Sequence, residues 1–429
     1  MAHVLFGDTT QAGLHTVRRA LERGHTVTLV RGMAVRYYAE DEDFHALLDG
    51  VDRVVEIEDS FDADALTVAI REAHAWRPVD AVVGSFDLML EALATACARL
   101  GFAFTSAAGI RNARDKGRAR HLLAQVGLAS ARFAVARDAA AAVRAADEIG
   151  YPVVVKPVGG TDSIMASRAE RSAEVRAAAE GIFAAATGED TPETVRRTLA
   201  GGVIVEEYLD GELVSAELGR RAGQSWPLLV TGRSRAADND CIEMGAVLPA
   251  PLPAERSAAC FGYAEAVCRA LGLDIGVFHV EMMITHDGPV LVEANPRPMG
   301  GVMAWLYTIL TGTNFCDYQL DIHLGREPRP VAVPQGRTIT ARRLMPSEAV
   351  RLADDLDTAA LDRAVTGLPS FENFLLKPGA AAQRQDVLGR YAVLGDTWHA
   401  AMTRADELIP HFEEILRVSL IRPEPVHAR

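Results

Sequence analysis

The sequence predicts a multidomain protein of the α/β and α+β classes, with a doubly wound parallel sheet at its N-terminus and an α+β lobe at its C-terminus. Three observations carry this expectation. At 429 residues the chain is roughly three times the usual domain size, so several cores are expected. From residue 3 to about 105, short apolar runs alternate with amphipathic stretches, the pattern of strands and helices in a parallel sheet covered on both faces. From residue 203 onward, strand-like runs follow one another closely around one long helical stretch at 255–271.

Composition narrows the function before any motif is read. Hydrophobic residues make up 49% and charged residues 24%, which suits a packed globular protein. Lys and Arg total 44 against 58 Asp and Glu, a formal charge of −14 that repels phosphate backbones and anionic lipid. No nucleic-acid and no membrane partner is expected, and any phosphate bound must belong to a small ligand held locally. Cys97, Cys241, Cys260, Cys268 and Cys316 are scattered without a CxxC pair, so they read as core thiols of a reducing compartment. Met1 to Gly7 has no basic segment before an apolar one, and no apolar run approaches the ~18 residues of a membrane span. The expected location is the cytoplasm.

The elements follow in order. Strands are expected at His3–Phe6, Thr26–Val30 and Val79–Gly84, with helices near Gln11–Glu22, Asp62–Ala75 and Asp87–Leu100. The loop Gly7-Asp8-Thr9-Thr10-Gln11-Ala12-Gly13 follows the first strand but lacks GxGxxG, so it reads as a turn over a substrate cleft rather than a dinucleotide site. A second unit holds a helix ending near Gln125, strand Arg132–Ala136, helix Ala139–Ile149 and strand Pro152–Lys156. A third has strands at Val203–Tyr208, Leu213–Leu218, Pro227–Thr231, Val277–Ile284 and Val290–Ala294, with helix Glu255–Leu271. The expected divisions are 1–110, 111–201, 202–325 and 326–429.

The sharpest chemical signal is Phe278-His279-Val280-Glu281-Met282-Met283-Ile284, an Asp-Gly turn, then Val290-Leu291-Val292-Glu293-Ala294-Asn295-Pro296-Arg297. This reads as a hairpin, with Phe278, Val280, Met282 and Ile284 on one face and His279, Glu281 and Met283 on the other. A three-residue loop at His286–Gly288 sets Glu281 directly opposite Glu293. Opposed carboxylates destabilise a sheet unless neutralised, and Glu281, Glu293 and Asn295 offer only hard oxygen donors, which favours Mg²⁺ or Mn²⁺. A solvated polar sheet face is the competing reading.

Two further segments add to it. Lys156 ends a buried strand and enters Pro157-Val158-Gly159-Gly160-Thr161-Asp162-Ser163, where small residues let backbone N–H groups approach anionic oxygens; Gly-Lys-Ser/Thr of a Walker A loop is absent. Val203-Ile204-Val205-Glu206-Glu207-Tyr208-Leu209-Asp210-Gly211-Glu212 leads a β-branched strand into consecutive acids, a segment able to hydrogen-bond a purine edge.

In this order, Lys116, Lys156 with Gly159 to Ser163, Glu206 to Leu209, Glu281, Glu293 and Asn295 to Gly301 resemble the ATP-grasp superfamily, over roughly residues 110 to 325. The resemblance implies the ATP-grasp fold: an N-terminal domain at 1–110, a small lobe with a phosphate lid at 111–201, a large lobe with a metal site at 202–325, and a C-terminal lobe at 326–429. It implies that Lys116 and Lys156 contact ATP phosphates, that Gly159, Gly160, Thr161 and Ser163 belong to the lid, and that Glu206, Glu207 and Leu209 border adenine. Glu281, Glu293 and Asn295 would hold magnesium or manganese. Arg297 and Lys156 would serve the reacting centre, and His279, Arg297, Gly300 and Gly301 would face substrate. Gly211-Glu212-Leu213 lacks the common Gly-x-Glu spacing, which leaves the ribose contact open between Asp210, Glu212 and Glu217.

Within the superfamily, the motifs resemble those of L-amino acid ligases. That branch activates a carboxylate as an acyl phosphate and joins it to an amine, giving an amide or dipeptide with ADP and phosphate. The implied partners are a small-molecule carboxylate and amine, and a homodimer is an open arrangement. An ATP-grasp carboxylase or purine-pathway ligase, and a non-catalytic ATP-binding sensor, are the alternatives.

Overall fold

The computed structural model describes residues 1–34, 38–160 and 165–424. The N-terminal part runs β1 (His3–Phe6), α1 (Leu14–Glu22), β2 (Thr26–Gly32), α2 (Glu42–Asp49), β3 (Arg53–Ile57), α3 (Ala63–Trp76), β4 (Ala81–Val83), α4 (Leu90–Leu100) and α5 (Ala107–Arg114). Its sheet has the order β3-β2-β1-β4, and every pairing is parallel. Alternation along the strands explains the two covered faces. Leu5, Val30 and Val82 pack with α3 and α4, whereas Val4, Phe6, Val27 and Leu29 pack with α1 and α2. The expected doubly wound sheet is therefore present, with α2 and β3 as elements the sequence pattern did not announce.

Next come α6 (Lys116–Gln125), β5 (Phe133–Ala136), α7 (Ala139–Ile149), β6 (Val153–Pro157), β7 (Ser167–Ala169), α8 (Ser172–Thr187), α9 (Glu193–Leu199) and β8 (Val203–Glu207). These build a four-stranded antiparallel sheet, β5-β8-β6-β7. Val153 and Val155 of β6 and Val203 and Val205 of β8 point into a core closed by α7 and α8. Their alternates, Lys156 and Glu206, are sent to the opposite face. β8 thus hydrogen-bonds within this small lobe, although it lies beyond residue 201.

The remainder runs β9 (Glu212–Arg221), β10 (Gln224–Arg235), β11 (Glu243–Leu248), α10 (Ala254–Leu271), β12 (Gly276–Thr285), β13 (Gly288–Asn295), α11 (Met303–Thr311), α12 (Cys316–His323), β14 (Thr338–Leu344), β15 (Val350–Arg351), α13 (Thr358–Val365), β16 (Ser370–Asn373), β17 (Ala381–Ala382), β18 (Gly389–Gly395) and α14 (Trp398–Leu416). One eight-stranded sheet, β13-β12-β9-β10-β11-β14-β18-β16, crosses the expected division at 325/326 without interruption. On β12, Phe278, Val280, Met282 and Ile284 pack with Cys260, Ala264, Val267, Cys268 and Leu271 of α10. The face carrying His279, Glu281 and Met283 turns towards the small lobe's polar face. α12 returns to the N-terminal sheet, where Leu320 joins its core and Asp317 and Asp321 pair with Arg19 and Arg23 of α1.

At the join between β11 and β14, Gly245 has φ +154°, and a Cβ there would lie 2.0 Å from the carbonyl oxygen of Ala341. Gly245→Ala should therefore cost about 3 kcal/mol or more. Chemical denaturation of purified protein checks this, and an unchanged midpoint would contradict the close packing of these strands.

Candidate active site

Local structure delivers each side chain to the cleft between the two sheets. Asp115 caps α6 by accepting from the backbone N–H of Arg118, so Lys116 occupies the first helical position and is buried. Its Nζ donates to the carbonyl of Gly160 at 2.6 Å and to Glu293 Oε1 at 2.9 Å. Lys156 meets Glu206 Oε2 at 2.7 Å, while Arg120 Nε donates to Glu206 Oε1 at 2.9 Å. Burial opposes the charge on Glu206, but Arg120 and Lys156 outweigh it and hold the carboxyl down at about 2.

The predicted hairpin pairing is present, by a different route. Thr285 pairs with Gly288, so the loop holds two residues, one fewer than the three-residue loop expected. A bulge in β13 at Val292 makes up the offset and brings Glu281 opposite Glu293. The carbonyl of the bulged Val292 accepts from Arg120 Nη2 at 2.8 Å.

The charge balance around the two carboxylates corrects one step of the sequence argument. Opposed acids there were expected to need a cation, and the protein supplies its own: Lys116 for Glu293, and His279 Nε2 for Glu281 Oε1 at 2.9 Å. Burial resists a charge on His279, yet Glu217 and Glu281 raise its pKa to about 9. Glu281 in turn falls to about 2, because His279, Arg233 and Arg297 overcome its desolvation. Among the described residues no group of three or more His, Cys, Asp and Glu is arranged to hold a metal. The Glu281, Glu293 and Asn295 set remains a hard-oxygen donor group, and the bonds from Lys116 and His279 go to Oε1 of each glutamate.

Two cavities meet at this pair. One is lined by Lys116, Lys156, Gly160, Glu206, Glu207, Leu209 and the apolar walls Val154, Leu213, Met283 and Leu291. The other gathers His279, Asn295, Arg297, Gly300 and Gly301 with Arg233, Arg343 and Arg390. Glu243, Glu281 and Glu293 border both. Arg297 Nε also reaches Asp87, in the loop after β4, so the N-terminal domain touches the site.

Other predicted residues are placed less directly. The Glu207 carboxylate is taken by Arg132, at 2.8 Å from its N–H and 2.7 Å from its Nε. Glu212 pairs with Arg256 and lines neighbouring cavities instead of the one beside Lys156. Gly159 lies outside both cavities, where a Cβ would come 2.9 Å from the carbonyl of Thr198. Thr161 and Ser163 fall outside the described residues. Sequence reasoning missed Arg235, which enters the first cavity from the end of β10, Asp240 and Cys241, which enter it from the β10–β11 connection, and Arg343 and Arg390, which enter the second from β14 and β18. Cys241 is thus half-buried in a cavity wall, while the other four thiols are core residues.

A family model for the ATP-grasp domain matches residues 149–305, and one for the ATP-grasp N-terminal domain matches residues 17–103. A formate-dependent phosphoribosylglycinamide formyltransferase of Synechocystis sp. is 29% identical over 272 residues, 63% of this chain and 65% of that protein. Carnosine synthase 1 of Gallus gallus is 29% identical over 37% of this chain and 17% of its own length. The chain therefore spans less than two thirds of these relatives. An L-amino acid ligase structure from Bacillus licheniformis superposes with a TM-score of 0.78 at 20% identity, covering 98% of this chain and 99% of that one. An ADP complex of N5-carboxyaminoimidazole ribonucleotide synthetase superposes at 0.70 with 17% identity, over 97% and 98%. At these identities the likeness is one of fold.

Two outcomes follow from the charge balance. Glu293→Gln should lower metal-free stability by about 1 kcal/mol, since Lys116 keeps Gly160 and an amide oxygen but loses its counter-charge; a calorimetric midpoint at or above wild type would contradict the ion pair. The His279 contribution is full below pH 6.5 and is lost as pH rises through about 9, while that of Glu281 is full above pH 4.5 and is lost as pH falls through about 2. The metal-free melting point should thus decline between pH 6.5 and 9, and His279→Asn should flatten that decline.

Proposed function

We propose that this chain, which belongs to the ATP-grasp superfamily, is an ATP-dependent ligase that activates a carboxylate, that of an amino acid, as an acyl phosphate and joins it to an amine. The observation that carries the reading is the shared wall of the two cavities. One is lined partly by apolar side chains beside two lysines, as a nucleotide requires, and the other is rich in arginine, as an anionic substrate requires. Glu281 and Glu293 line both cavities, which supports transfer of a phosphoryl group from one to the other.

The residues divide the work. Lys116 and Lys156 would exchange their carboxylate partners for the phosphates of ATP and offset the charge that develops on transfer. Arg297, oriented by Asp87, would hold the substrate carboxylate with its planar fork. Gly300 and Gly301 leave backbone exposed for the substrate. Glu281, Glu293 and Asn295 would hold Mg²⁺, which supplies Lewis-acid stabilisation to the phosphoryl oxygens. A carboxylate oxygen attacks the γ-phosphorus as the bond to ADP breaks; the amine nitrogen then attacks the acyl carbon, loses a proton and expels phosphate. No protein nucleophile is required.

A second reading has a specific observation behind it. The similarity to a formate-dependent formyltransferase favours a one-carbon acid and a purine-pathway amine. Both readings give ADP and phosphate, so a panel separates them: ADP release with each amino acid, singly and with a second amine, against formate with glycinamide ribonucleotide. Oxygen-18 in the donor carboxylate should appear in the released phosphate. Formation of AMP and pyrophosphate would overturn both readings, and binding of ATP without release in any mixture would favour a sensor.

A further inference from the structure

Glu217 has no part in the reading just given, and it cannot reach a ribose, because it is 0% exposed. It stands opposite His279 across the β9–β12 pairing. One carboxylate oxygen meets His279 Nδ1, and the other accepts from the backbone N–H of Met299 at 3.1 Å. The far side of the same ring bonds Glu281. One buried carboxylate therefore connects two parts of the site that are distant in sequence: the strand bearing a metal-type glutamate, and the turn bearing Arg297, Gly300 and Gly301.

We propose that Glu217 is a positioning residue that sets the distance between the Glu281 carboxylate and the Pro296–Gly301 turn. The inference rests on the ligase reading for its purpose but on hydrogen-bond geometry for its content. Both oxygens are used, and each holds a different element. Without the anchor at Nδ1, the His279 ring is held only from its Nε2 side, by Glu281 and by Arg233 Nη2 at 3.1 Å, and the position of Glu281 Oε1 is set less tightly. Without the anchor at Met299, the turn loses the bond that ties its backbone to β9, while Arg297 still bonds Asp87 and the Pro298 carbonyl at 2.9 Å. A side chain present only to fill the core would not need two acceptors aimed at two elements.

Metal binding tests this directly. Mn²⁺ is titrated into the full chain with a non-hydrolysable ATP analogue and followed by electron paramagnetic resonance. Glu217→Gln keeps the shape but has one acceptor for two contacts, and should weaken Mn²⁺ about tenfold while leaving analogue affinity without divalent metal unchanged. Glu217→Asp keeps the charge but is one methylene short of spanning both contacts; it should show the same loss, and it serves alone should the Gln variant not fold. A folded variant of either kind with Mn²⁺ affinity within twofold of wild type would overturn the proposal. Because the readout is binding and not turnover, a wild-type protein that takes up Mn²⁺ but never makes ADP would overturn the ligase reading separately.

Discussion

Glu281 and Glu293 face each other on paired strands, where two like charges would cost the sheet up to ~1 kcal/mol and leave the hairpin free to slip. Much of the architecture answers that constraint. Lys116 comes from the first turn of α6, His279 from two residues earlier on the same strand, and Arg120 secures the bulge that creates the opposition. Each of these cations is itself held by something else: Gly160 for Lys116, Glu217 for His279, Glu206 for Arg120. The small lobe, the large lobe and the helix between them are thus tied through charge pairs that converge on the cleft. On the proposed ligase reading, ATP and a divalent cation would enter a site that is already balanced, and would replace protein partners instead of filling bare charge.

The sequence showed most where periodicity and chemistry coincide. Alternation on β12 separated Phe278, Val280, Met282 and Ile284 from His279, Glu281 and Met283, and the packing divides them the same way. The Asp-Gly turn located the hairpin, but the bulge at Val292 left no mark, since a bulged valine looks like any strand valine. The pairing was therefore reached through a loop length and register that the structure replaces. The short helix α2 and the half-exposed strand β3 were also invisible, being too brief for a period to emerge.

Residues of the two cavities were legible in proportion to their sequence neighbourhood. Lys116, Lys156, Glu281, Glu293, Asn295 and Arg297 belong to compact motifs, and all line the two cavities. Arg343 and Arg390 arrive from strands about 50 and 100 residues downstream of that hairpin, and Asp240 from a loop whose placement depends on β10 and β11. Nothing in their local sequence distinguishes them from surface charges; the topology brings them in. Glu217 was noticed as an acid near the hinge, and its burial reverses the role that position suggested.

The unbroken eight-stranded sheet has a consequence for what can be removed from this chain. β14 pairs with β11 on one side and β18 on the other, so β14, β18 and β16 complete a hydrogen-bond ladder begun by β9 to β13. Cutting before β14 would leave Gly245 to Leu248 with unsatisfied N–H and C=O groups along a new, largely apolar edge. Such an edge is a template for pairing with another chain. A fragment trimmed to the nucleotide-binding portion would thus be prone to self-association, and the C-terminal strands act as the cover that keeps the central sheet from aggregating.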